Sequence, residues 1–255
     1  MATLDVHDAG EGTAVLLLHG LTATHRYVVM GSRALERSGH RVIAYDARGH
    51  GRSDPAEPYD YPALAQDLGR VLDERGIDTA VLAGASMGAH TIARFAIDHP
   101  ERVQAAVFIT PAYDPPDFPG DLERWDALAD GLERGGVEGF VEAYGPITGP
   151  WAETTAKVLR QRLALHEHPD AVAQALRQVP RSRPFEALGE LARIDAPTVV
   201  VASRDEADPG HPLAVGEAWA RAIPGARVVT EESGSSPIAW QGGQLSRVIA
   251  EAAGQ

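Results

Sequence analysis

The sequence predicts an α/β protein whose mostly parallel sheet is covered by helices. Short apolar runs alternate with longer amphipathic segments along the 255 residues, an order that is typical of parallel strands joined by helical crossovers. The apolar runs are nearly continuous, as expected for strands that are buried on both faces. Gly and Pro are spread along the chain and 44% of the residues are hydrophobic, which favours an ordinary globular protein over a disordered or fibrous one.

Each element of this fold is placed by its pattern of apolar residues. The predicted strands are 14–18, 41–45, 79–83, 103–109, 198–202 and 227–230. The predicted helices of the core are 30–38, 61–75, 89–98, 212–222 and 241–253. Before the first of these strands, residues 4–7 and the Gly-containing stretch 8–12 predict an antiparallel hairpin at the edge of the sheet.

One long segment interrupts the alternation. Residues 113–194 contain no convincing strand and have helical patterns at 121–134, 136–144, 151–166 and 169–178. An insertion of this kind is expected over the carboxyl ends of the strands, where open α/β sheets bind ligands. We therefore expect an α/β core formed by 1–112 and 195–255, with a helical cap formed by 113–194. Several cap side chains could line a pocket, although core packing is the commoner role for each: Trp125, Phe140, Tyr144, Trp151, His166, His168 and Phe185.

Composition excludes several classes of function. A net charge of −13 disfavours binding to nucleic acid and to anionic membranes, because both require a basic face. The chain has no cysteine, so disulfides, thiolate nucleophiles and cysteine-based zinc sites are excluded. No secretory signal precedes the first strand, and no apolar run approaches the roughly 20 residues that span a bilayer. We expect a cytoplasmic protein whose partner is a small-molecule substrate.

The most informative motif is the pentapeptide Gly84-Ala85-Ser86-Met87-Gly88. It follows the apolar run 80–83 and precedes a helical pattern, and this strand-turn-helix context is the one that a nucleophile elbow requires. Glycines at both ends allow the backbone to turn tightly, so that a strained serine projects its hydroxyl from the end of a strand. Ser86 is therefore the candidate nucleophile.

A second motif follows the strand 14–18. The sequence His19-Gly20-Leu21-Thr22 places a glycine where the chain could approach a reacting carbon closely. A developing oxyanion in acyl transfer needs two backbone N–H donors, and the candidates are the amides of Leu21 and Met87. His19 is interpreted as a brace for this loop rather than as a base.

A third motif is the loop from Asp46 to Asp54, with two glycines around His50 and alternating arginines and carboxylates. We interpret it as a rigid, hydrogen-bonded scaffold. Together with His19-Gly20 and the elbow at Ser86, its order and spacing resemble the α/β-hydrolase superfamily, in particular its small capped esterase, lactonase and peroxidase-like branch. The resemblance covers essentially the whole chain, including the position of the cap.

By this resemblance, the acid of a catalytic triad follows the strand 198–202. The local sequence supplies Asp205, Glu206 and Asp208. Asp208 fits best, because the family tends to place a proline four residues beyond its acid and Pro212 stands there. Asp205 is the second candidate.

The resemblance also implies a histidine after the last strand, but this chain has none beyond His211. Ser235 stands where the imidazole is expected. Without a neighbouring base, Ser86 would keep the pKa of an alcohol and would be a poor nucleophile. A histidine from elsewhere could supply the base. The first choice is His211, which shares a loop with Asp208, and the others are His90, His25, His166 and His168.

The leading functional expectation is hydrolysis of a small ester, lactone or related acyl substrate. Ser86 would attack, the amides of Leu21 and Met87 would hold the oxyanion, and Asp208 would orient the base. We expect no metal and no organic cofactor, and the aromatic side chains of the cap favour an apolar or uncharged substrate. Two alternatives remain open. One is a non-hydrolytic enzyme of this fold, such as a lyase or isomerase, and the other is a noncatalytic ligand-binding protein.

Overall fold

The computed structural model describes residues 2–148, 151–206, 208, 210–233, 240 and 242–254. Seven strands form one sheet: β1 (Val6–Ala9), β2 (Thr13–Leu18), β3 (His40–Tyr45), β4 (Ala80–Ala85), β5 (Val103–Ile109), β6 (Thr198–Val201) and β7 (Arg227–Val229). The helices are α1 (Ala34–Arg37), α2 (Tyr61–Glu74), α3 (Met87–Asp98), α4 (Leu122–Tyr144), α5 (Ala152–Leu163), α6 (Pro169–Gln178), α7 (Leu213–Ala222) and α8 (Gly242–Ala253). The predicted α/β class is confirmed.

The sheet has the order β1-β3-β2-β4-β5-β6-β7. Only the edge strand β1 is antiparallel to its neighbour, and the other pairs are parallel. Strand β4 lies at the centre, with strand order reversing around it, and this is where an open α/β sheet places its ligand site. The carboxyl end of β4 leads directly into Ser86.

Helices cover the sheet on both faces, which explains why the strands read as unbroken apolar runs. Successive residues of β2 point to opposite faces, and both faces are buried. Leu16 packs into a cluster with Leu68 of α2 and Phe95 of α3. Leu17 packs into the cluster on the other face, which contains Ile249 of α8.

The regular secondary structure described between β5 and β6 is entirely helical. In the described part of 113–194 the structure has helices α4, α5 and α6 and short 3-10 turns, and no strand. The two helices predicted at 121–134 and 136–144 are one assigned helix with a kink at Gly136, whose φ of 58° interrupts the helical backbone.

Two predictions about the first 40 residues are wrong. Strand β1 does not form a hairpin with β2, because it pairs antiparallel with β3. Gly10 and Gly12 still form a turn, but it crosses the start of β3, where a Cβ at Gly10 would lie 2.3 Å from the His40 oxygen. The predicted helix 30–38 is reduced to α1, because Met30 has a φ of 47° and cannot begin a right-handed helix.

No helix in the described ranges combines the length and the apolar character that a membrane crossing requires.

Candidate active site

Ser86 occupies the sharp turn between β4 and α3, with φ 50° and ψ −113°. Side chains other than glycine rarely adopt a positive φ, and such strain is typical of functional turns. Backbone hydrogen bonds hold the residue on both sides, from Ser86 N–H to the Ile109 oxygen (2.9 Å) and from His90 N–H to the Ser86 oxygen (3.0 Å). The Ser86 side chain caps no helical N–H and is half-buried. The turn therefore presents a hydroxyl that no hydrogen bond from the described part of the chain occupies.

The two glycines of the pentapeptide are required by close packing. A Cβ at Gly84 would lie 2.5 Å from the carbonyl carbon of Gly88, and a Cβ at Gly88 would lie 2.3 Å from the Leu18 oxygen. Both contacts involve backbone atoms, which cannot move aside as a flexible side chain can. The tight turn at Ser86 thus depends on the absence of side chains at 84 and 88.

We expect Gly88→Ala to lower the free energy of unfolding by about 3 kcal/mol, since a forced clash in a packed core costs on the order of 1–3 kcal/mol or more. The matched control is Gly135→Ala in α4, where an added Cβ meets nothing within 4 Å. That change should stabilise the helix by up to about 1 kcal/mol. Urea denaturation of both variants measures the difference, and equal stabilities would contradict the packing argument.

The loop 19–22 lies directly beside Ser86. A Cβ at Gly20 would be 3.5 Å from the Cβ of Ser86, so the two backbones are in close approach. Neither the Leu21 nor the Met87 amide donates a hydrogen bond to a described residue. Two backbone N–H groups without a described acceptor therefore lie on the two segments next to a strained serine. An oxyanion site requires donors of this kind.

Three buried imidazoles contact three successive carbonyl oxygens of this loop. His19 accepts the Ala47 N–H at Nε2 and therefore donates from Nδ1 to the Gly20 oxygen, each at 2.8 Å. His50 lies between two carbonyl oxygens, with Nε2 2.5 Å from the Leu21 oxygen and Nδ1 3.0 Å from the Arg48 oxygen. His166, from the helical insertion, accepts the Gly51 N–H at Nδ1 (2.8 Å) and donates from Nε2 to the Thr22 oxygen at 3.3 Å.

These contacts fix the orientation of the peptide groups around Leu21. They also agree with the interpretation of His19 as a brace, because both of its ring nitrogens are engaged.

Burial keeps several imidazoles neutral. It lowers the pKa from about 6.5 to about 3 for His19 and His90 and to about 4 for His166. Between pH 6.5 and these values the unfolded chain binds protons that the folded chain does not, so stability is lost as the pH falls. We expect each imidazole to lower the free energy of unfolding by about 1.4 kcal/mol per pH unit in this window.

Urea denaturation at pH 7, 6 and 5 checks this expectation. In His166→Gln, the slope of the free energy of unfolding against pH should be smaller by the contribution of one imidazole. A free energy of unfolding that stays constant or rises from pH 7 to pH 5 would contradict it.

The carboxyl of Asp46 affects stability in a separate pH range. Burial alone would raise its pKa, but hydrogen bonds and charge from His25 together with the charge of His19 hold it at about 2. Its contribution is therefore lost only below about pH 4.

The loop 46–54 is a rigid scaffold, as the sequence indicates. Asp46 accepts hydrogen bonds from the backbone N–H groups of His25 (2.8 Å) and Arg52 (3.1 Å). Arg48 is buried and pairs with Asp67 of α2 at 2.7 Å. Because a buried ion pair is costly to break, this loop holds His50 against the loop 19–22.

The helical insertion packs over the same place. Leu128 of α4 and Leu159 of α5 are buried in a cluster that also contains Leu21 and Met87. Backbone contacts add to this packing, since Glu167 N–H donates to the Gly51 oxygen at 2.9 Å. The insertion therefore covers the two residues whose amides flank Ser86.

Asp208 and His211 lie together after β6. His211 Nδ1 is 2.8 Å from Asp208 Oδ2, and both side chains are about a quarter exposed, 26% and 28%. A carboxylate on Nδ1 selects the tautomer that carries no proton on Nε2 and leaves that nitrogen able to accept one. His211 also lies close enough to His90, one helical turn after Ser86, to interact with it electrostatically. Asp205, the second candidate acid, accepts the Leu213 N–H at 2.8 Å at the start of α7.

Two of the four other candidate bases, His90 and His166, have both ring nitrogens engaged. His90 Nε2 accepts the Ala112 N–H (3.0 Å) and its Nδ1 contacts the Tyr61 hydroxyl (2.8 Å). His166 is held as described above. His25 forms a second imidazole–carboxylate pair, 2.9 Å from Asp46, but that carboxylate also anchors the scaffold loop. His168 lies at the start of α6.

Ser235 lies outside the described residues. Of the predicted cap aromatics, Phe140 and Phe185 are 1% exposed and belong to the core, while Trp151 is 42% exposed. Arg162, which lies among the apolar residues of α5, is not among the candidates predicted from the sequence. It stands three residues after Leu159, and this spacing indicates that the two side chains share one face of the helix.

A small void lies behind the elbow. It is lined by Leu18, His19, Tyr45, Ala47, Leu64, Met87, Gly88 and Thr91, and its volume of about 10 Å³ is near that of a single water. It is too small for a substrate.

One group of side chains has the spacing of metal ligands. Ligand atoms of Asp5, His25 and Asp46 lie within 4.8 Å of one another. Internal contacts account for the group, since Asp46 is bound by His25 and Arg52 Nη2 lies 3.3 Å from Asp5. Asp5 lies just before β1, His25 begins a 3-10 turn, and Asp46 begins the scaffold loop.

A family model described as the alpha/beta hydrolase fold matches residues 13–241. The "Putative carbamate hydrolase RutD" of Variovorax paradoxus is 32% identical over 208 residues, which cover 80% of this chain and 77% of that protein.

Solved structures agree with the fold. An esterase from Thermogutta terrifontis is 25% identical with a TM-score of 0.78, covering 97% of this chain and 92% of that one. The enol-lactonase from Burkholderia xenovorans LB400 is 22% identical with a TM-score of 0.80, covering 99% of this chain and 96% of that one.

Proposed function

Since the chain belongs to the α/β-hydrolase family, we propose that this α/β-fold hydrolase cleaves a small ester, lactone or related acyl substrate with Ser86 as its nucleophile. The observation that carries the proposal is the positive φ of Ser86 at the end of the central strand, beside two unused backbone amides. Strain of this kind persists only where the surrounding structure imposes it. The relatives named as a carbamate hydrolase, an esterase and an enol-lactonase support acyl chemistry.

The proposed base is His211, oriented by Asp208. The Asp208 carboxylate would hold the imidazole through Nδ1 and stabilise the imidazolium that forms when Nε2 takes the proton of Ser86. This pair would replace the histidine that is absent after β7. His211 is favoured over His90 and His166 because its Nε2 has no partner among the described residues, whereas theirs are engaged.

The Leu21 and Met87 amides would stabilise the oxyanion of the tetrahedral intermediate. Their donors are fixed before the reaction, by the imidazoles of the loop 19–22 and by the start of α3, so little reorganisation is needed as charge develops. We propose that residues 113–194 act as the cap that excludes water and shapes the substrate site.

A fluorophosphonate probe tests the proposal, because it labels only an activated serine. We expect labelling at Ser86, mapped by peptide mass spectrometry, and none on Ser86→Ala. Ser38→Ala, which changes a serine at the end of α1, should label as the unmodified protein does. Tight ligand binding without labelling of Ser86 would favour a noncatalytic binding protein instead.

A further inference from the structure

Arg162 lies on the face of α5 that packs toward the oxyanion residues. Its neighbours on that face, Leu159 and Leu163, are 4% and 3% exposed and belong to the cluster that contains Leu21 and Met87. Residues three and four apart share one face of a helix. An arginine in the middle of this apolar stripe therefore points into the interior between the insertion and the core.

The continuation of α5 places Arg162 close to the loop 19–22. His166, four residues later, contacts the Thr22 oxygen at 3.3 Å and the Gly51 N–H at 2.8 Å. The end of the insertion helix is thus pinned to the oxyanion loop, and Arg162 lies one turn before the pinned residue.

The guanidinium has no protein partner in the part of the chain that the structure describes. Its Nε–H is fully buried and donates to no group within reach, while the residue as a whole is half-buried. No described carboxylate lies at ion-pair distance from it, whereas Arg160, two residues earlier, pairs with Glu138 at 2.8 Å. A half-buried guanidinium whose Nε–H has no acceptor is costly, so the energetics favour an anion supplied from outside the chain.

The electrostatic surroundings agree with this placement. Burial lowers the pKa of the Arg162 guanidinium, and Tyr144, Tyr27 and Asp208 act in the opposite direction. Asp208 is paired with His211 at 2.8 Å, so it is not available as the counter-ion. Arg162 is therefore an unpaired positive charge near the proposed acid and base.

We propose that Arg162 binds a carboxylate group of the substrate, and that the natural substrate is an anionic ester, lactone or related acyl compound, an inference that rests on the proposed hydrolase function. The planar guanidinium matches a carboxylate with two parallel hydrogen bonds. The net charge of −13 repels anions at long range, so their binding requires a local cation. The expectation of an apolar or uncharged substrate is replaced, because the sequence alone does not reveal that Arg162 lacks a partner.

Two matched esters test the subsite, p-nitrophenyl hemiglutarate with a free carboxylate and neutral p-nitrophenyl valerate of the same chain length. We expect Arg162→Met to lower kcat/KM for the hemiglutarate by about 10- to 100-fold, the range of a hydrogen bond to a charged group. The loss should appear mainly in KM, and the valerate should change by less than about 3-fold.

The matched control is Arg160→Met, which removes the same charge from an exposed position on the same helix. It should leave the ratio of the two esters unchanged. Equal losses for both esters in Arg162→Met, or equal shifts in the ratio for both variants, would overturn the subsite. Arg162→Lys provides a second, charge-retaining variant.

A binding measurement separates this proposal from the hydrolase proposal. Calorimetry of glutarate with Ser86→Ala should show binding that Arg162→Met, added to the same protein, weakens by at least about 10-fold. If the wild type hydrolyses neither ester but glutarate binding depends on Arg162, the hydrolase proposal fails and the subsite stands. If both esters are hydrolysed without any effect of Arg162, the reverse holds.

Discussion

Replacing Ser86 with alanine is expected to lower kcat for ester hydrolysis by roughly 10³-fold or more. Removal of the nucleophile from a triad protease costs about 10⁶-fold, and what remains comes from the oxyanion hole and substrate binding. A smaller loss is expected here because the base is atypical. Ester turnover measured with a p-nitrophenyl substrate checks the result, and the backbone of the variant should be unchanged because alanine keeps the Cβ.

A second substitution at Ser86 separates strain from chemistry. Ser86→Gly should be as inactive as Ser86→Ala, yet its free energy of unfolding should be higher by about 1 kcal/mol. Relief of strain at a φ of 50° is worth about 1–3 kcal/mol, and the greater freedom of glycine in the unfolded chain offsets about 0.4–1 kcal/mol. Turnover that survives in both variants would favour the non-hydrolytic alternative and remove Ser86 from the mechanism.

Replacing His211 with alanine is expected to lower kcat by about 10²- to 10⁴-fold, the usual contribution of a positioned general base. The loss should be at least as large as that of Asp208→Asn, because the carboxylate acts only through the imidazole that it holds at 2.8 Å. The pH dependence of kcat in the two variants provides a second readout, since the limb that reports deprotonation of the base should disappear in His211→Ala.

Two other histidine variants make this result specific. His168→Ala changes a histidine of the insertion that has no place in the proposed mechanism, and its activity should be unchanged. His25→Ala removes the other imidazole that pairs with a carboxylate. Near-normal turnover in His211→Ala, together with a large loss in His25→Ala, would show that His25 supplies the base.

Local sequence patterns were sufficient for most of the fold. The strand 103–109 and the helix 169–178 have the predicted bounds, because an apolar run between breakers and a proline at the first helical turn are local signals. The hairpin prediction failed for the opposite reason. The choice of β3 rather than β2 as the partner of β1 depends on where the chain crosses in space, and no property of residues 4–12 encodes it.

The features of the candidate site also divide into those that the local sequence predicts and those that only the tertiary structure decides. The pentapeptide around Ser86 predicted the strained turn, because Gly84 and Gly88 are needed wherever a strand enters a helix so abruptly. It was also possible to expect Asp208 and His211 on one loop. The pairing of their side chains is a tertiary result, as is the engagement of His90 by Tyr61 and by backbone amides.

The sequence by itself determined the α/β class, the order of most of its elements and the serine at the end of the central strand, because periodicity and glycine spacing act over a few residues. Only the tertiary structure decided which imidazoles are engaged and which charge is left unpaired. His166 meets the Thr22 oxygen across 144 positions of the chain, and Arg162 lacks a partner only because the described carboxylates are all placed elsewhere. Hydrogen bonds and ion pairs depend on distances in space, and those distances are set by packing between segments that are remote in sequence.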